Sequence, residues 1–235
     1  LGAWHHIYDF ETCKWIVRSQ AILDTLNLYN DIYNVEELGN KRFQLAQNGR
    51  DLSFESFSQG NTAMLVEGDY FWRSIVVPGG DFGMDNRDDV VSFAPMPAEE
   101  PGIGYNGQDF VTISGGTGYS LNPNTAHPAE AWAVLACMFS QDSLIGYNDL
   151  QPRIRARLDV PVTGDSTMSS IASDVLPLTT IRPPLPEYNR VSAEAQLMTE
   201  RVVSGEMTPE AAMDAYAAAV ADIVGADNTV DLLGS

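Results

Sequence analysis

Between Tyr188 and Ile223 the apolar residues fall into helical register twice, with one break between the two runs. Val191, Ala195, Met198 and Val202 recur at spacings of three and four, and so do Met213, Tyr216, Val220 and Ile223. At the break stand Gly205, suited to the left-handed position that closes a helix, and Thr208-Pro209, a capping hydroxyl followed by a ring preset for a first turn. These signals predict one helix from about Tyr188 to Ser204 and another from Pro209. The second stripe is too apolar to stand in water, so residues far upstream must cover it. Residues 1–109 are expected to supply that cover.

The rest of the chain reads as short elements. Ile22, Leu26, Tyr29 and Tyr33 predict an amphipathic helix over residues 14–34. The apolar run 62–66, closed by Gly68, predicts a buried strand, and Val90 to Ala94 a second one ended by Pro95 and Pro97. Phe110 to Ile113 and Tyr119 to Leu121 are strand-like around Gly115-Gly116. Pro128 opens a helix with the stripe Trp132, Leu135 and Phe139. Residues 146–186 have no long period. No internal repeat is present. The fold class expected is α/β, helix-rich, with a small mixed sheet.

Thirty-two acidic residues face thirteen basic ones, giving a net charge of −19. Such a surface repels phosphate backbones, which sets aside nucleic acid and anionic membranes as partners. No run of apolar residues is long enough for a membrane span. There is no Gly-x-Ser-x-Gly elbow, no phosphate loop and no dinucleotide fingerprint. His5-His6 with Asp9 and Glu11 matches no zinc spacing, because neighbouring strand side chains point to opposite faces. Asp81, Asp85, Asn86, Asp88 and Asp89 lack the regular spacing of a calcium loop. Arg153, Arg155 and Arg157 alternate along one face of an extended segment, and in so acidic a chain they are expected to pair with carboxylates rather than bind an anion. Cys137, inside an apolar helical pattern, reads as a small core residue. Two cysteines give no disulfide framework.

Four stretches, in order, resemble the sugar-binding extracellular solute-binding proteins typified by maltose-binding protein. They are Phe57 to Met64 with Gly68-Asp69-Tyr70-Phe71-Trp72; Ser92 to Pro97; Ser114 to Asn122 with His127 to Trp132; and Pro186-Glu187-Tyr188 with Gly205 to Ala212. The resemblance covers nearly all of the chain after Ile16. It implies the second, C-terminal lobe of a two-lobe periplasmic-binding-protein-like fold, with most of the first lobe not in this sequence. Residues 1–109 and 174–235 would form that lobe, and residues 110–173 would cross the hinge and add first-lobe elements. The Trp132 stripe is then expected to be partly exposed, or covered by something outside residues 1–235. The implied function is capture of a carbohydrate-like solute between lobes and its delivery to the membrane permease of an ABC importer. The implied location is extracellular or periplasmic, with a lipid anchor upstream of Leu1 as one arrangement. No cofactor, metal or covalent chemistry is implied. The alternatives are a carbohydrate-active hydrolase using paired carboxylates, and a surface scaffold of the same fold without a ligand.

A sugar is held by an aromatic ring against its C–H face and planar polar groups at its hydroxyl rim. The resemblance puts binding aromatics at Tyr70 and Trp72 and a stacking aromatic near Tyr188. The plain alternative is that all three are core residues. Asp69 and Arg182 lie beside them and are able to bond hydroxyls, although single charges of this kind are commonly solvated. Gly115 and Gly116 permit close backbone approach to a ligand, or form a plain turn. Stacking rings should be bare on one side, and so less buried than Leu65 or Val220.

Overall fold

A computed structural model describes residues 7–98, 100–104, 107–116 and 118–233; His5 and His6 lie outside them. In chain order the elements are β1 (Tyr8–Asp9), β2 (Lys14–Arg18), α1 (Gln20–Asn30) continued by a π-helical turn (Asp31–Val35), α2 (Lys41–Leu45) and α3 (Gly49–Ser58). A second π-turn (Phe71–Ile75) and α4 (Arg87–Val90) precede β3 (Met96–Pro97), β4 (Phe110–Val111) and β5 (Ile113–Ser114). Then come α5 (Pro128–Met138), α6 (Gln141–Leu150), α7 (Ser166–Ser170), β6 (Thr180–Ile181), α8 (Tyr188–Ser204), α9 (Pro209–Val224) and β7 (Thr229–Asp231). The chain is helix-rich with small sheets, compatible with the α/β class.

Two compact units divide it. The first comprises residues 1–65, 96–111 and 180–235, the second residues 66–95 and 112–179. Residues 66–95, grouped with 1–109 on the sequence reading, fall in the second unit.

In the first unit a three-stranded sheet runs β1-β2-β7, with β2 antiparallel to β1 and parallel to β7. Trp15, Ile16 and Val17 are all buried, as a central strand covered on both faces requires. The segment 14–18 is therefore strand, where a single helix over 14–34 was expected. The helix begins only at Ser19, whose hydroxyl accepts from the Ile22 N–H. The β-branched and aromatic run before that cap favours the pleated surface of a sheet. Against the sheet lies α9, on which α1 and α8 pack, and the three helices bring Leu26, Val191, Val202, Met213, Tyr216 and Val220 into one core. The C-terminal helices thus pack on residues far upstream.

The two helix boundaries agree with the sequence reading. Gly205 caps α8 with φ 80°, and the Thr208 side chain accepts from the Ala211 N–H with Pro209 first in α9. Tyr216 is 1 % exposed, and its hydroxyl has no hydrogen-bond partner among the described residues. Burial, with the Tyr188 phenol nearby, pushes the Tyr216 phenol far above its usual value. An unpartnered buried hydroxyl is a standing penalty, so Tyr216→Phe is expected to raise stability by about 1 kcal/mol. An upward shift of the urea midpoint with an unchanged slope checks this. A lower midpoint would show that the hydroxyl bonds something.

Three expected strands are corrected. Residues 62–66 form no strand, and Met64 and Val66 stand 88 % and 78 % exposed. The run is bracketed by Gly60, at φ 75°, and Gly68, and no strand pairs with it among the described residues. An apolar run without a pairing edge gains nothing from extension. Where Val90 to Ala94 was expected as strand, Val90 ends α4 and pairing starts at Met96, against Val111. Residues 119–121 are irregular.

In the second unit, α5 has no buried residue, and Trp132 and Phe139 are 63 % and 39 % exposed. Cys137 lies exposed on the same helix, not in a core, and Cys13 is likewise free and exposed.

Candidate functional site

The second unit is organised around Trp72. The π-turn Phe71–Ile75 turns Phe71 and Trp72 inward, and Val76 closes it with full burial. The Trp72 indole N–H donates to Asp165 Oδ2 at 2.8 Å. Asp165 is also the cap of α7, its other oxygen accepting from the Met168 N–H at 2.9 Å. Over the ring lies the Arg87 guanidinium, 3.9 Å from the ring centroid, with Nη1 donating to the Trp72 carbonyl at 2.9 Å. Phe93 meets the indole edge-on at 6.3 Å.

Beside this lies a hollow of about 540 Å³, within the range of small-solute sites. One wall is Arg73, Val77 and Arg87, another is the end of α6 from Asn148 to Pro152, and Thr163, Gly164 and Asp165 complete it. Its polar groups are braced. Asn148, 1 % exposed, donates from Nδ2 to the Pro161 carbonyl at 3.2 Å and accepts at Oδ1 from Arg155 Nε at 2.8 Å. Gln151 donates from Nε2 to the Arg73 carbonyl and to Ser74 Oγ, each at 3.3 Å, and accepts from Arg153 Nη2 at 2.8 Å. Arg73 pairs with Asp69 at 3.4 Å and donates to Ser74 Oγ at 3.1 Å. Burial lowers the pKa values of the Arg73 and Arg155 guanidiniums, and the neighbouring Arg153 charge lowers both further. In the first unit a hollow of about 270 Å³ between α2 and α3 is smaller than typical solute sites.

Of the residues singled out from sequence, Asp69, Tyr70 and Trp72 share one turn beside the hollow. Tyr70 is partly buried and its hydroxyl donates to Glu67. Trp72, expected to be bare on one side, is 3 % exposed, because Asp165 and Arg87 come from remote sequence to cover it. It packs behind Arg87 and Asp165, which line the hollow, and offers no open stacking face. Gly115 and Gly116 are exposed, and a Cβ at either would have no atom within 4 Å, so no close backbone approach calls for glycine there. Tyr188 and Arg182 belong to the first unit; Tyr188 starts α8 and packs on its core, while Arg182 is exposed.

Sequence reasoning missed Arg73, Arg87, Asn148, Gln151 and Asp165. The alternation 153-155-157 marks the segment, but its three arginines find different partners. Arg157 pairs with Asp159 at 2.9 Å as expected, but Arg153 and Arg155 bond neutral amides. Among the described residues no three His, Cys, Asp or Glu side chains converge to hold a metal, and no helix is long and apolar enough to cross a membrane.

No curated protein matches the chain. The family model described as bacterial extracellular solute-binding protein matches residues 20–144, just over half of the sequence. That span takes in α1, the Trp72 turn with Arg73 and Arg87, the whole of α5 and the start of α6. The chain belongs to the bacterial extracellular solute-binding family.

Proposed function

We propose that this chain captures a carbohydrate-like solute outside the cytoplasm and hands it to the permease of an ABC importer. The observation that carries the solute class is the hollow beside Trp72. Its lining combines two amides, a hydroxyl, two guanidiniums and two carboxylates, and hydrogen bonds hold both amides in place. Planar, braced donors and acceptors suit a rim of sugar hydroxyls, because they are ordered before the ligand arrives. Asp69 and Tyr70 serve as contacts at the edge of the hollow, and Trp72 supports Arg87 and Asp165 of its lining from behind. For Gly115, Gly116 and Tyr188 a ligand role rests on the resemblance, as do a two-lobe architecture and a lipid anchor, and for Arg182 it rests on its place near Tyr188 in the sequence.

Asp149 and Asp165 are the two carboxylates that line the hollow, and a hydrolase would need both free to act. Asp165 already accepts from Trp72 and from the Met168 N–H, one bond to each oxygen, which is the use of a structural cap.

A thermal-shift screen of the protein against mono- and oligosaccharides, amino acids and polyamines tests the reading. A saccharide present at 100 times its Kd should add about 2.7 kcal/mol of stability. If no saccharide moves the melting temperature while another solute class does, the carbohydrate assignment is wrong.

A further inference from the structure

We propose that the Arg73–Arg153–Arg155 cluster of the second unit grips an anionic oxygen group on the solute, a carboxylate or a sulfate ester, so that the cargo is an acidic saccharide. This rests on the carbohydrate reading and names the substrate class within it.

The first ground is the choice of partners. The chain holds 32 acidic residues against 13 basic ones, so a carboxylate is the easiest partner for any arginine to find. Arg18 is paired with Asp214 and Asp231, Arg87 with Asp88 and Arg157 with Asp159. Arg153 and Arg155, like Arg42, Arg182, Arg190 and Arg201, have no carboxylate ion pair among the described residues, but a side-chain amide holds each of the first two. Arg153 is held by the Gln151 amide oxygen and Arg155 by that of Asn148. An amide oxygen orients a guanidinium without neutralising it. The full charge stays available, and so do most of the five N–H donors of each group.

The second ground is that the arrangement is built. Asn148 is buried, and its Nδ2 is fixed on the Pro161 carbonyl, which turns its oxygen toward Arg155. Gln151 ties Arg153 to the Arg73 backbone and to Ser74, on which Arg73 Nη1 also rests. Arg73 lines the hollow itself, and so do Asn148 and Gln151, the amides that hold Arg155 and Arg153 one residue back from it.

The third ground is electrostatic. Three like charges are held close enough to disfavour one another, with Asp69 the one carboxylate paired to the cluster among the described residues. Holding like charges together is unfavourable unless something of opposite sign joins them. A carboxylate or sulfate would relieve that repulsion, and its oxygens match the arginine fork.

The test is isothermal titration of the protein with three trisaccharides: a uronic acid trimer, a sulfated galactose trimer and a neutral glucose trimer. Binding of the uronate or of the sulfated sugar says which anion is taken. Arg153→Gln and Arg155→Gln should each weaken that binding by about ten- to a hundred-fold. Arg153→Lys should fall between wild type and Arg153→Gln, because charge remains and the fork is lost. Arg155→Gln disturbs buried Asn148, so melting curves accompany every variant, and the two Arg153 variants decide if Arg155→Gln does not fold. Binding of the neutral trimer with no binding of either acidic one overturns this inference and leaves the carbohydrate reading standing. Acidic-sugar binding unchanged in the Arg153 variants also overturns it. If no trimer binds, both fall.

Discussion

Trp72→Ala is expected to lower stability by about 3–5 kcal/mol, the range for truncating a buried large aromatic. The ring is 3 % exposed, and its removal strips contacts from Phe93 and from the Arg87 guanidinium above it. It also leaves Asp165 Oδ2 without its donor, in a site where Asp165 caps α7. Trp72→Phe separates the two contributions. It keeps most of the packing and loses only the indole N–H bond, so about 1–3 kcal/mol should go. Urea midpoints measure both. A ring that stacked on sugar with one face bare would behave in the opposite way, melting like wild type after truncation and binding saccharide more weakly by about 1–3 kcal/mol. Normal melting of Trp72→Ala would therefore refute the assignment of Trp72 as a covered packing residue.

Leu26→Ala should cost about 2–5 kcal/mol. Leu26 is 1 % exposed on α1, and α1 packs on both α8 and α9. Its side chain fills the space where those helices meet, and a close-packed core collapses only partly around a void. Amide hydrogen exchange sharpens the measurement, since α8 and α9 should lose protection in the variant. A loss below about 1 kcal/mol would mean that the neighbouring side chains repack over the gap, and that Leu26 is not central to this core.

Local signals in the sequence match the structure where the physics is local. Gly205 adopts a left-handed conformation and Thr208 bonds its own helix's N–H within three residues, so α8 and α9 begin and end where their caps say. The same logic was available at Ser19 and would have split the expected helix 14–34 into strand and helix. Residues 62–66 show the limit. An apolar run becomes a strand only when another edge pairs with it, and nothing in its own five residues reports whether one will.

The candidate site divides along the same line. That Asp69, Tyr70 and Trp72 fall together was legible, since they are neighbours on one turn. Trp72's burial was not, because Asp165 lies 93 positions away and Arg87 reaches it from another helix. The alternation of Arg153, Arg155 and Arg157 was plain, and charge balance alone assigned all three to carboxylates. Arg157 follows that rule, because Asp159 stands two residues along. Arg153 and Arg155 depart from it, because Gln151 and Asn148, set at the end of α6, reach them first. By itself the sequence determined caps, stripes and net charge, which depend on residues within a few positions of one another. Only the tertiary structure decided which side chains are covered and what each charge faces, because burial and electrostatic partnership are set by groups that distant segments bring into contact.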